Sequence, residues 1–470
     1  MENQTENYIR IDVNLPENII STIMSKIYYN RRKFVKMSAT AAIGAGILSG
    51  LSYPMGVSAQ NPLNEKPIRL GFIGIGGRGS YHLNAALGIE GVEVPAICEV
   101  IPKRLQQAKK WIEESGRPTP KLYDKGVTDF KRLCENEKLD AVICCTSWEW
   151  HTPVCLAAMK NDKHCVSEVP IVLTLDQAWE IVETYESTGK WATIGLEGFG
   201  QLALLNMIQK GILGDIVHAE TGYIHDLRLV KFDPEREPWR LQHSIDRNGN
   251  LYPDHPMAKM LPALDINHGD RIDYLVSMSS FGGMLNDYAA IYYKNKNHPL
   301  TKKKIALGNY NASLIRTVNG KMITLIHDTS TPHPRENYRI QGTKGVFMGD
   351  STYKNIYIEG LSPVEHEWEP AEPYFKEYEH PIVKNYNPAP RKGGEIIGHG
   401  GGGSQTPMNW TRLVSAIREN KMPDWDVYDS VTSSAISPIT EQSVANKGKA
   451  IDFPDFTKGK WKTRPRITLV

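Results

Sequence analysis

The chain has 470 residues, enough for two or three domains and a sizeable core. Lys and Arg number 55 against 53 Asp and Glu, so charge gives no argument for a nucleic acid or a membrane surface as partner. No apolar run reaches the roughly 18 residues of a spanning helix.

Residues 1–59 read as a leader. Asn30-Arg31-Arg32-Lys33-Phe34-Val35-Lys36 precedes a small, weakly apolar stretch at 37–51, and Val57-Ser58-Ala59 has the small-residue form of a signal-peptidase site. This pattern predicts a twin-arginine signal cleaved after Ala59. The protein is then exported to the periplasm or beyond, with the twin-arginine machinery as a transient partner and no membrane span after processing. A buried helix with a basic start would account for the arginines alone, but not for the Phe and the Ala-x-Ala-like end as well. Residues 1–29 form an unusual extension, and Met24 is a candidate start. The six cysteines, Cys98, Cys134, Cys144, Cys145, Cys155 and Cys165, have no CxxC or Cys/His metal spacing. Buried thiols and no metal are expected.

From 60 to 194 the pattern predicts a nucleotide-binding domain. Ile68-Arg69-Leu70-Gly71-Phe72-Ile73 reads as a strand that runs into Gly74-Ile75-Gly76-Gly77-Arg78-Gly79, and a helix follows from Ser80. Gly74 allows the tight turn, Gly76 lets the backbone approach a pyrophosphate, and Gly79 allows close helix–strand packing. Glu99 ends the next apolar run about 20 residues on, where a ribose 2′-OH is held. Further strands are expected at 92–98, 141–145 and 164–167, and helices at 80–87, 101–114, 127–136, 154–161 and 175–188. Alternating strands and helices mean an α/β fold with a doubly wound parallel sheet, the Rossmann arrangement. Two segments leave strand ends with marked chemistry: Thr146-Ser147-Trp148-Glu149-Trp150-His151 and Ser167-Glu168-Val169-Pro170.

From 195 to 470 the runs at 216–223, 312–317, 322–328 and 338–342 alternate as strands of an open, mainly antiparallel sheet do. Helices are expected at 202–210, 269–277 and 408–420, giving a second, α+β domain. Residues 232–262 read as a long irregular segment rich in Trp, Arg, His and Tyr, a length of loop that is usually functional. Gly398-His399-Gly400-Gly401-Gly402-Gly403 is either a flexible connector or a loop against a ligand.

These stretches in this order resemble the sugar-oxidoreductase superfamily typified by glucose–fructose oxidoreductase and inositol dehydrogenase. Within it the chain is most similar to glycoside hydrolase family 109, the NAD-dependent α-N-acetylgalactosaminidases. The carrying segments are the glycine turn, Thr146 to Pro153, Glu168-Val169-Pro170, Gly222-Tyr223-Ile224-His225-Asp226-Leu227-Arg228, Trp239-Arg240, Asn248 to His255, Gly398 to Gly401 and Asp426 to Asp455. The resemblance implies NAD as cofactor, with contacts at Arg78, Gly79, Glu99, Trp148, Glu149, Trp150, His151, Glu168 and Val169. It implies sugar contacts at Arg240 and Tyr252, His255 as catalytic base, and a homodimer. Departures stand at Glu99 (commonly Asp), at Gly198-Phe199 after Leu196-Glu197, and near Tyr338, where a second substrate tyrosine has no clean match. Val169 replaces the lysine of the superfamily's dehydrogenases, and Asp265-Ile266-Asn267-His268-Gly269 breaks another of their signatures, although His268 could reach the site from a neighbouring position.

For such a family the implied reaction is oxidation at sugar C3, loss of the C2 proton, elimination, water addition and re-reduction. It needs one base near neutral pKa and not two facing carboxylates. Taken alone, His255 fits a turn hydrogen bond as well as a base, and Arg240 beside Trp239 fits a surface cation–π pair. An exported sugar oxidoreductase with tightly held NAD(P) and an inactive sugar-binding homologue are the alternatives. Export argues for internally recycled NAD, because no obvious pool exists outside the cytoplasm.

Overall fold

The computed structural model describes residues 66–334, 338–349, 352–386 and 406–469. The leader and the glycine run at 398–403 lie outside the described residues. Six strands build the first sheet: β1 (Ile68–Ile73), β2 (Val92–Cys98), β3 (Lys121–Tyr123), β4 (Ala141–Cys144), β5 (His164–Ser167) and β6 (Ala192–Thr193). All pair in parallel, in the order β3-β2-β1-β4-β5-β6. Every residue of β4 and β5 is buried, as expected of strands covered by helices on both faces. Those helices are α1 (Gly77–Leu87), α2 (Pro102–Glu114), α3 (Phe130–Asn136), α4 (Trp148–Lys160) and α5 (Leu175–Thr188). Strand order reverses between β1 and β4, which opens a crevice beyond their carboxyl ends. The strand expected at 141–145 stops at Cys144, and Cys145 begins the loop to α4; both thiols are buried.

The second sheet has nine strands. They are β7 (Ile216–Ile224), β8 (Ile272–Ser279), β9 (Asn311–Thr317), β10 (Met322–Asp328), β11 (Tyr338–Gly342), β12 (Gly345–Gly349), β13 (Lys354–Ile358), β14 (Glu369–Pro370) and β15 (Ile451–Asp452). The order is β14-β13-β12-β11-β7-β10-β9-β8-β15, with β7 and β10 parallel and the other pairs antiparallel. In β9 every second residue is buried, the mark of a sheet with one covered face. The expected open, mainly antiparallel sheet is therefore present.

Two expectations fail. Residues 269–277 were expected as a helix and form β8 instead. A bulge between Ile272 and Tyr274 breaks the two-residue period, so the pattern imitates a helical one. Residues 232–262 were expected to be irregular, and they carry α8 (Trp239–Asp246) and α9 (Asp254–Leu264), following α6 (Leu202–Gln209) and α7 (Arg228–Phe232). Pro238 and Pro253 occupy the N-caps of α8 and α9. They read as loop residues, yet a proline at a helix start removes only an N–H that has no partner there.

The helix Val427–Ala445 ties the site's supports together. Beside its buried apolar residues it carries buried Ser and Thr side chains that hydrogen-bond to backbone and side chains of neighbouring segments. Ser434 Oγ accepts from Ile171 N–H at 3.0 Å, Ser430 Oγ from Ile194 N–H at 3.1 Å, and Thr440 Oγ1 from Asn250 N–H at 2.9 Å. Ser433 and Ser434 also donate to Asp254 Oδ1, at 3.2 and 2.5 Å. The first turn of α9, and with it His255, is thereby anchored to the loop after β5 and to the end of the first sheet.

Candidate active site

A cleft of about 270 Å³ lies at the switch point. Its lining includes Gly74, Gly76, Gly77, Arg78, Glu99, Arg104, Trp148, Trp150, His151, Glu168, Val169, Arg240 and Tyr252. The glycine turn has three different requirements. Gly74 adopts φ +84°, and a Cβ there would lie 2.6 Å from the Cys145 carbonyl oxygen. A Cβ on Gly79 would lie 2.0 Å from the Gly74 carbonyl oxygen, so helix and turn touch through bare backbone. Gly76 is the opposite case: a Cβ there meets nothing closer than Arg104 Nη1 at 3.7 Å. Nothing within the protein demands glycine at 76, but a ligand on the helix N-terminus would.

Glu99 is buried at the edge of this turn, where its carboxylate accepts from Ile75 N–H at 2.6 Å and Ile101 N–H at 2.9 Å. A carboxylate fixed there suits ribose hydroxyls and disfavours a 2′-phosphate. Arg104 also lines the cleft, a second cation beside Arg78 that sequence reasoning passed over. These residues fit NAD: a bare helix N-terminus for the diphosphate and an acid for the ribose.

At the other end, Arg240 sits in an aromatic cage. Its guanidinium carbon lies 4.6 Å from the Trp239 ring centroid, 4.9 Å from Trp148 and 5.0 Å from Tyr252. Glu237, one turn earlier, accepts from its Nε. Trp148 stacks on Tyr252 at 5.1 Å and 26°. Arg240 is thus a held, desolvated cation at the cleft wall and not a surface pair.

His255 stands just beyond this wall. Its ring meets Tyr252 edge-on at 4.7 Å and stacks on Tyr223 at 5.3 Å and 24°. Its Nδ1 lies 2.8 Å from Glu197 Oε2, with 28% of the His255 side chain exposed. Burial alone would depress the imidazole; Glu197 first, and Glu168 after it, outweigh burial and raise its pKa above 6.5. Sequence reasoning missed Glu197 and Tyr223 as parts of this site. In Leu196-Glu197-Gly198-Phe199 the departures from the family pattern are Gly198 and Phe199, while the acidic residue beside them is the one that reaches the histidine. Phe199 itself stacks on Trp425 at 4.9 Å and 10°.

Glu168 joins the two ends. It accepts from Arg78 Nε at 2.8 Å, and its Oε1 lies 2.7 Å from His82 Nε2. Burial would raise its pKa, but the Arg78 guanidinium and His82 hold the carboxyl well below the usual carboxylate range. Both nitrogens of His151 face backbone carbonyls, Pro170 at 2.7 Å and Thr146 at 3.0 Å. Burial lowers its pKa while the two carbonyls oppose that shift, and the ring pins α4 to the loop after β5 while lining the cleft. Glu149 is not among the lining residues; it is half-exposed and pairs with His243 at 3.7 Å. His268 pairs with Asp429 at 3.1 Å and with the Pro465 carbonyl, and Tyr338 is buried against Phe347, so neither is brought to the cleft.

Comparison with known proteins places this geometry. Residues 199–463 match "Glycosyl hydrolase 109, C-terminal domain", and residues 68–196 match "Oxidoreductase family, NAD-binding Rossmann fold". A glycosyl hydrolase family 109 protein of Solibacter usitatus is 35% identical over 452 residues, covering 93% of this chain and 99% of its own. An α-N-acetylgalactosaminidase of Tannerella forsythia is 35% identical over 472 residues, covering 92% of this chain and 97% of its own. Among solved structures, levoglucosan dehydrogenase in complex with NADH and levoglucosan shares the fold at TM-score 0.61 and 18% identity, covering 83% of this chain and all of that one. An inositol dehydrogenase homologue from Azotobacter vinelandii complexed with NAD⁺ does so at TM-score 0.61 and 17% identity, covering 83% and 98%. The chain belongs to glycoside hydrolase family 109 and carries the NAD-binding Rossmann domain of the sugar-oxidoreductase superfamily.

Proposed function

We propose that the protein cleaves glycosides of N-acetylgalactosamine-like sugars by transient oxidation at C3 and elimination across C1–C2. NAD, when bound, supplies a hydride acceptor and donor that ends unchanged. Arg240 and Tyr252 bind and orient the sugar at the aromatic end of the cleft. His255 removes the C2 proton once C3 is a ketone, and it later releases that proton. The observation that carries this reading is the Glu197–His255 pair beside Tyr252, a partly exposed imidazole that a carboxylate orients and whose pKa it raises. A conventional glycosidase needs a carboxylic acid that is protonated near neutral pH. Glu168 is held ionised by Arg78 and His82, so it does not serve as that acid.

The test is a panel of aryl α- and β-glycosides, N-acetylgalactosaminides included, with no NAD added. Release of the phenol is expected. If no glycoside is cleaved while free sugars reduce the bound cofactor, the protein is a sugar oxidoreductase and the proposal fails. The pH profile gives a second expected outcome. His255 must be neutral to accept a proton, so cleavage should fall about tenfold per unit as pH drops below its pKa, which lies above 6.5. A profile flat from pH 5 to 8 would contradict this.

We also propose that the protein is exported folded, with its dinucleotide already loaded, through its twin-arginine leader. All six thiols are buried and unpaired, and burial pushes Cys98 and Cys134 up to about 12, so they resist an oxidising compartment. Protein purified from the periplasm and then denatured should release close to one equivalent of NAD and little NADP, because Glu99 disfavours the 2′-phosphate. Mostly NADP, or no dinucleotide, would reverse that expectation.

A further inference from the structure

We propose that Glu197 is the positioning carboxylate of His255: it takes the Nδ1–H and so leaves Nε2 as the atom that accepts the proton. The inference rests on the reading of His255 as the base. The ring has little freedom, since Tyr223 covers one face and Tyr252 meets its edge. Stacking fixes the plane of the ring but not which nitrogen carries hydrogen; a carboxylate 2.8 Å from Nδ1 does. Among the described residues no protein hydrogen bond occupies Nε2. In the proton step the C2–H bond breaks, Nε2–H forms, and the electron pair remains as the enolate of the C3 ketone. That pair then expels the glycosidic oxygen from C1.

Glu197 has features that set it apart from a structural acid. Its side chain is only 13% exposed, yet its one side-chain partner among the described residues is His255. A nearly buried carboxylate whose partner is a neutral imidazole gains most when that imidazole becomes charged. The charged and titratable groups around the ring are Glu197 and Glu168, with Arg78 opposing them, the phenols of Tyr223 and Tyr252, and Asp254 next in the chain. Meanwhile the backbone at 197 is secured without the carboxylate. Its N–H donates to the Ile194 carbonyl at 2.9 Å, and its carbonyl accepts from Trp425 Nε1 at 3.3 Å and Asn409 Nδ2 at 3.4 Å. Changing the side chain should therefore leave the loop in place.

The experiment combines ¹⁵N-histidine NMR with pH–rate profiles on the wild type, Glu197→Gln and Glu197→Asp. In the wild type, the neutral His255 ring should be protonated at Nδ1; protonation at Nε2 would overturn the proposal without any variant. In Glu197→Gln the His255 midpoint and the acidic limb of the rate should both move down by about one unit, with plateau rate reduced about tenfold or more. Glu197→Asp keeps the charge and should recover part of both. An unchanged midpoint and limb in Glu197→Gln, with an unchanged melting temperature, would sink the idea. Should the wild type cleave no glycoside, the base reading fails by itself, and the NMR midpoints still decide whether Glu197 sets the ring.

Discussion

Replacing His255 by Ala should lower glycoside cleavage by about 10²–10⁴, the usual loss when a positioned general base is removed. Hydride transfer at C3 should partly survive, because Arg240, Tyr252 and the glycine turn are untouched. The same change strips Glu197 of its partner and leaves a carboxylate that is 13% exposed without a hydrogen bond. His255→Gln restores a polar group there, so it separates loss of the base from loss of stability. Both variants should fail in cleavage while only His255→Ala melts noticeably lower. If His255→Gln kept more than about a tenth of the wild-type rate, a different group would be the base.

The second large effect concerns the glycine turn, where two neighbouring positions should behave in opposite ways. In Gly79→Ala the new methyl would sit 2.0 Å from the Gly74 carbonyl oxygen and 2.9 Å from its carbon. Both are backbone atoms at the root of the dinucleotide site, so the turn must open. Overpacking of this kind destabilises by about 1–3 kcal/mol and here would also empty the site of NAD. Gly76→Ala has room in the protein, with the closest atom a flexible Arg104 nitrogen at 3.7 Å, and an ordinary negative φ. Its melting temperature should be unchanged while retained dinucleotide falls, since the methyl occupies ligand space. Melting curves and dinucleotide content after gel filtration check both. Equal melting loss in the two variants would mean that Gly76 serves the fold and not the ligand.

Much of the first half was legible because its signals are local. A buried parallel strand reads as a short apolar run, and β1, β2 and β5 end where their runs end. The glycine turn was legible for the same reason: turn, close approach and packing lie within six residues. Short edge strands such as β3 and β6 carry too few residues to show a period. The second half was harder, because non-local partners decide it. The bulge in β8 hides a strand, and prolines at helix starts make α8 and α9 look like loop. The candidate site divides in the same way. Arg240, Tyr252 and His255 cluster in sequence near one another, and the family resemblance marks them. Glu197 lies 58 positions from His255, and only the tertiary fold brings the two together. No local pattern announces that contact, and neither does one announce the serines of the helix Val427–Ala445 that hold α9 in place.

The most direct measurement is cleavage of an aryl N-acetylgalactosaminide in D₂O, with mass and NMR analysis of the released sugar. Proton removal by His255 and later return from exchanged solvent should leave one deuterium at C2, with C3 retaining its original hydrogen. A sugar released with no deuterium at C2 would contradict the elimination route and the assignment of His255 as its base.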